Sequence, residues 1–181
     1  MPRFVAFLRA INLGGTRVVR MDSLRQIFES LGFSDVRTFI ASGNVVFKTR
    51  TNRRKIIERR IEKKLRQALG YDVAVFVRTD AELIEITNHK PFPKSKIDAF
   101  TARNIIFLTD ALDEKLIDKV EALRTKTDEF RVRGWEIYWL RRKRPGAAFS
   151  TVPLEKTLGQ PFTVRACDTV NRIVAKFDPT P

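Results

Sequence analysis

The chain has little of what most catalytic and metal chemistries need. One cysteine in 181 residues, Cys167, rules out an intrachain disulfide and a cysteine cage for zinc. One histidine, His89, sits between Asn88 and a segment holding two prolines, Lys90-Pro-Phe-Pro93, and reads as a loop residue rather than a general base. The carboxylates are scattered without metal-ligand spacing, so neither a metal nor a cofactor is expected, and catalytic residues are none. Gly14-Gly15 does not extend into a dinucleotide fingerprint, and there is no Walker loop. Long apolar runs are missing too. The opening one ends at Arg9, too short for a signal-peptide core or a membrane span, so a soluble cytoplasmic protein with no membrane partner is expected.

Acidic residues are the scarcest class relative to their opposites. Lys and Arg number 35 against 21 Asp and Glu, a formal charge of +14. Such a chain attracts polyanions at low salt: nucleic acid, an acidic protein or a phosphorylated ligand. The same charge would also serve solubility alone, and charge by itself carries no substrate information. Hydrophobic residues make up 43%, enough for a sizeable core, so disorder is not expected.

Phe4 to Leu8 is an apolar run without alternation, suited to a strand covered on both faces. Met21, Leu24, Ile27, Phe28 and Leu31 follow helical spacing, with Asp22 or Ser23 as cap and Gly32 as stop. Val36 to Ile40 and Val45 to Lys48 read as a hairpin around Ala41-Ser-Gly-Asn44. Thr51 or Asn52 then caps a helix running to Leu69, buried along Ile57, Ile61, Leu65 and Ala68, and Val73 to Val77 reads as a strand. Strand, helix, strand, strand, helix, strand is the βαββαβ order of a ferredoxin-like unit with an antiparallel sheet.

The remainder repeats that order in degenerate form. A strand is expected over Ile105 to Thr109, a helix over Leu112 to Leu123, a hairpin at Phe130 to Val132 and Trp135 to Leu140, then short helices at Thr151 to Leu158 and Thr169 to Phe177. The fold class expected is therefore α+β: two packed ferredoxin-like halves, 1–79 and 80–181, the second a degenerate repeat.

In a βαββαβ unit the first and third strands are antiparallel neighbours. The end of the first strand then lies beside the start of the third, where the first helix also presents its free N–H groups. Arg9, Asn12, Gly14, Gly15, Arg17, Ser42, Gly43 and Asn44 converge there as a candidate ligand-binding pole for a phosphate, a carboxylate or a nucleic-acid backbone. The competing reading is that Asn and Ser beside Gly are what tight turns require. A second signal is Arg50, Arg53, Arg54 and Lys55 at the start of the second helix, the end where the macrodipole favours acids; an external anion would offset that conflict, and a solvated face is the competing reading. A third is Arg141, Arg142, Lys143 and Arg144 after a hairpin rich in aromatics. Stacking rings with a basic rim suit single-stranded nucleic acid. Trp135, Ile137 and Trp139 nevertheless fall on one face, the pattern of a core, and Val45 to Lys48 lacks the ring-bearing motif of RNA-recognition sheets. Cys167 has Arg165 nearby and a helix following, which would lower its pKa, against the usual habit of a small buried thiol.

Phe7-Leu-Arg-Ala-Ile-Asn-Leu-Gly-Gly15, Met21-Asp-Ser-Leu24, Leu31-Gly-Phe33, Val36-Arg-Thr38 and Ser42-Gly-Asn-Val-Val-Phe47 together resemble the bacterial family catalogued as domain of unknown function 1697. The resemblance covers almost the whole chain and is strongest over residues 4–48. It implies two α+β halves of ferredoxin-like character and no established activity, and it matches Arg9, Asn12, Gly14, Gly15, Ser42, Gly43 and Asn44 to the family's characteristic positions. Two places depart from the pattern. Ala166 and Cys167 stand where the family carries Asn and Trp, and Gly146-Ala-Ala-Phe-Ser-Thr151 lacks a lysine usual there.

Three functions remain open on the sequence. The first is a binding protein for nucleic acid or another polyanion. The second is a small-molecule binding protein or enzyme using the Arg9, Asn12, Ser42 and Asn44 pole on a phosphorylated or carboxylated ligand. The third is a structural or interaction module. Oligomeric state is not legible.

Overall fold

A computed structural model describes residues 1–12, 15, 17–39, 43–99, 102–142 and 150–177. The chain divides into two units, Met1–Glu85 joined by Lys176 and Phe177, and Ile86–Ala175.

The first unit runs β1 (Arg3–Leu8), α1 (Met21–Glu29), β2 (Ser34–Thr38), β3 (Asn44–Lys48), α2 (Arg54–Leu69) and β4 (Val75–Thr79), and α3 (Asp80–Asn88) begins in it. The sheet has the order β2-β3-β1-β4, antiparallel throughout, which is the ferredoxin-like arrangement. Phe4, Ala6 and Leu8 of β1 alternate onto one face. There they join Val45 and Phe47 of β3, Val75 and Val77 of β4, and the inner stripes Leu24–Phe28 of α1 and Ile57–Ile61–Leu65 of α2. Phe47 is the hub. It stacks on Phe33 at 4.6 Å and on Phe4 at 5.9 Å, and meets the edge of Phe28 at 5.5 Å. The other face, with Val5, Phe7 and Phe76, is buried as well, as the unbroken apolar run of β1 requires.

The second unit contains α4 (Lys94–Ala99), β5 (Ala102–Leu108), α5 (Glu114–Glu121), β6 (Asp128–Arg133), β7 (Glu136–Arg141), α6 (Val152–Leu158), β8 (Phe162–Ala166) and α7 (Cys167–Val174). Its sheet order, β6-β7-β5-β8, reproduces the first with every strand in the corresponding place. The repeat carries one more strand than the periodicity predicts. β8 is five residues long and lies between Gly159-Gln-Pro161 and a helix, too short for its alternation to register.

The structure also shows a repeat at single positions. In the first sheet Val5 pairs with Arg78; in the second Ile105 pairs with Arg165 at the matching register. In each arginine Nη1 donates to the carbonyl of the residue before it, Val77 or Val164, at 2.8 Å. Arg78 is almost wholly buried, and burial lowers the Arg165 pKa to about 10.

Local differences from the sequence reading have simple causes. Helices α1 and α2 take Arg20 and Arg53 as N-caps, neither with a side-chain bond, in place of the expected Asp22 or Ser23 and Thr51 or Asn52. Thr51 instead donates its N–H to Thr49 Oγ1 at 3.4 Å, which keeps it in the preceding turn. Strand β4 starts two residues later than Val73 because its register is set by Leu8 opposite Val75. The loop Ala41-Ser-Gly-Asn44 lies outside the described residues except for Gly43 and Asn44.

Candidate functional site

The pole at the end of β1 is assembled by strand pairing. Phe7 faces Asn44, and the Leu8 N–H donates to the Gly43 carbonyl at 2.8 Å. Gly43 has φ +75°, and a Cβ there would stand 3.0 Å from Leu8 Cβ, so the approach of the two strands depends on that glycine. Asn44 is buried, and its Nδ2 donates to the Phe39 carbonyl at 3.0 Å, closing the β2–β3 turn from within. Asn12 spans its own loop: Nδ2 donates to Val19 O at 3.1 Å, and the Val19 N–H donates to Oδ1 at 2.6 Å. Both amides thus hold turns. Arg9 is half-buried, with its backbone N–H on Ala74 O at 3.0 Å. Arg17 lays its guanidinium over the Tyr71 ring at 4.8 Å, and Gly15 is exposed at φ +77°. Gly14 and Ser42 lie outside the described residues.

At the second helix, Arg50 and Arg53 are exposed, Arg54 pairs with Glu82, and Lys55 lies 3.9 Å from Glu58 Oε2. What the sequence reading missed is the direction of the acids. Helix α2 holds seven Lys and Arg against two Glu, Glu58 and Glu62. Strand β4 is a sheet edge, and its outward N–H groups need acceptors. Glu58 takes the Val77 N–H at 3.0 Å and Glu62 the Val75 N–H at 3.2 Å. Burial pushes both carboxyls above their ordinary range, only partly offset by those bonds and by nearby cations. With both carboxylates turned to the sheet edge, the exposed row Arg59, Lys63 and Arg66, at i, i+4 and i+7, is cationic, Arg66 pairing at 3.3 Å with the exposed Asp72 beyond the helix end. Arg60, also exposed, instead lies across to the turn after α1, donating to Leu31 O at 2.7 Å over the Phe33 ring.

In the second unit, Trp139 belongs to the core. It stacks on Phe130 at 5.6 Å and donates its indole N–H to Asp128 at 2.8 Å. It therefore offers no open ring for a base to stack on. Arg141 approaches Trp139, Arg142 is exposed, and Lys143 and Arg144 lie outside the described residues. Cys167 opens α7, and burial raises its thiol to about 11, so the helix start and Arg103 do not activate it. Among the described residues no group of three or more His, Cys, Asp or Glu is placed to hold a metal ion. No described helix is long and apolar enough to cross a membrane.

Two complete βαββαβ units in tandem, the first with a cationic outer helix, define an α+β protein of duplicated ferredoxin-like topology. A family model described as "Protein of unknown function (DUF1697)" matches residues 1–138, and the chain belongs to that family. A solved structure of a conserved bacterial protein from Streptococcus pneumoniae, SP0830, shares the fold over 98% of this chain and 99% of its own, at a TM-score of 0.77 and 20% identity. No functionally curated protein matches the chain.

Proposed function

We propose that this protein binds nucleic acid or another polyanion through the outer face of α2, making phosphate contacts without reading sequence. The observation that carries this is the inward turn of Glu58 and Glu62, which leaves Arg59, Lys63 and Arg66 as an exposed row in which, among the described residues, Arg66 alone meets a carboxylate, the exposed Asp72 at 3.3 Å. Arg50 and Arg53 extend that charge past the helix start, where free N–H groups also favour an anion. The sheet is not the contact surface in this reading. Its two faces carry buried Phe4 and Ala6 on one side and Val5 and Phe7 on the other, so no rings are open for base stacking. The single cysteine and the absence of disulfide chemistry support a cytoplasmic setting.

Fluorescence anisotropy with a duplex and a single strand over a salt series tests the proposal. Affinity is expected to fall steeply with salt. The triple variant Arg59→Gln, Lys63→Gln, Arg66→Gln should flatten the slope by about 0.9 per lost contact on duplex DNA and about 0.7 on a single strand. An unchanged slope in the triple variant, or no binding at low salt, overturns it.

A further inference from the structure

The second unit contains a cavity of about 310 Å³ that nothing in the nucleic-acid reading uses. Its apolar lining comes from Ile105 of β5 and Tyr138 and Leu140 of β7, side chains that alternate with the core-facing Ile106, Ile137 and Trp139, together with Ile86 and Ile97. The segment His89 to Phe92 forms another wall. It is tied to the sheet by the edge-on contact of His89 with the Tyr138 ring at 5.1 Å and by the Tyr138 hydroxyl donating to Ile86 O at 3.2 Å. Pro91 stiffens this wall at the cavity and Pro93 follows just beyond it.

The charge on this cavity has one sign. Lys90, Lys94 and Arg103 line it, and among the described residues no carboxylate does. Neither lysine has an ion-pair partner among the described residues, and Arg103 has only the exposed Asp168 at 3.9 Å. Elsewhere in the same unit Glu129 of β6 takes both Lys96 of α4 at 2.6 Å and Arg131 at 2.9 Å. Three cations lining an apolar, aromatic-walled space give an anion bound there favourable charge contacts, with an apolar wall for the rest of the ligand. The volume lies near the lower end of the about 300–1,000 Å³ that small-molecule sites occupy, which calls for a compact ligand.

We propose that this cavity binds a small aromatic anion, its ring against Tyr138, Ile105 and Leu140 and its carboxylate or phosphate held by Lys90, Lys94 and Arg103. Indole-3-acetate and adenosine monophosphate, each paired with its neutral counterpart, indole-3-acetamide and adenosine, distinguish the two anionic groups. Calorimetry on the full chain reads the binding. At least one anion should bind ten times more tightly than its neutral counterpart. The double variant Lys90→Glu, Lys94→Glu changes two exposed side chains and should keep the wild-type melting curve while losing at least tenfold in affinity. The α2 triple variant should leave this binding unchanged, which separates the cavity from the polyanion surface. Absence of binding by both anions at millimolar concentration, equal binding of the neutral compounds, or full affinity in the lysine variant overturns the proposal.

Discussion

Gly43 shows how much a single residue can decide. It combines a left-handed backbone with an approach to Leu8 so close that a methyl group would stand 3.0 Å from Leu8 Cβ and push it aside. Gly43→Ala should therefore destabilise the first unit by about 1–3 kcal/mol in chemical denaturation, the cost of holding a non-glycine residue in such a conformation plus the displaced strand. Glu58 is a second such residue. Its folded-state pKa lies above its unfolded value, so its favourable contribution is complete below the ordinary carboxylate range and is lost as pH rises through the raised value. Glu58→Gln keeps an acceptor for the Val77 N–H and removes the buried charge, so the variant should gain stability relative to wild type as pH rises from 4 to 7. Glu58→Ala leaves that N–H without its acceptor and should cost about 1–3 kcal/mol. Glu82 runs the other way. Burial raises it, but the Thr79 N–H, Arg54 and the Thr79 hydroxyl together hold it below the usual range, so its stabilisation is present at neutral pH and disappears as pH falls through the lowered value. Glu82→Gln should weaken the fold at pH 7 and leave it nearly unchanged at pH 3, as paired urea melts would show. The Cys167 thiol, raised to about 11, should alkylate at pH 8 far more slowly than a free cysteine, with the rate still climbing past pH 10.

Among the elements, α2 joins stability to the proposed function. Its apolar stripe was legible as a spacing over Ile57, Ile61 and Leu65, although Ala68, expected to continue it, is exposed in the last turn, and its excess of cations was legible as a count. The direction of Glu58 and Glu62 was not, because a helix periodicity says which side a residue occupies and not that an unpaired strand edge lies within reach of it. Helix α5 makes a simpler case. Asp113 caps it, accepting the Leu116 N–H at 2.8 Å, and Asp113→Ala should lower stability by about 0.5–2 kcal/mol in the same melts. Strand β8 and helix α4 escaped the sequence reading for a common reason: five and six residues are too few for a period to stand out from the surrounding loop.

For the molecule as a whole, the charge of +14, the βαββαβ order of the first half with a degenerate repeat after it, and the nearness of the first and third strands followed from the amino-acid sequence, because composition and hydrophobic period are local properties and the topology admits few arrangements; that the second half completes the same order with β8 was decided by the structure. The equivalence of Arg78 and Arg165 followed only from the register of the two sheets, since the pair is invisible until Val5 and Ile105 are seen opposite them. Tertiary structure alone also decided that Asn12 and Asn44 close turns and that an aromatic cavity rimmed by lysines exists in the second half. Such features depend on which side chains from distant segments arrive at one place, and a one-dimensional pattern carries that information only after the strands have paired.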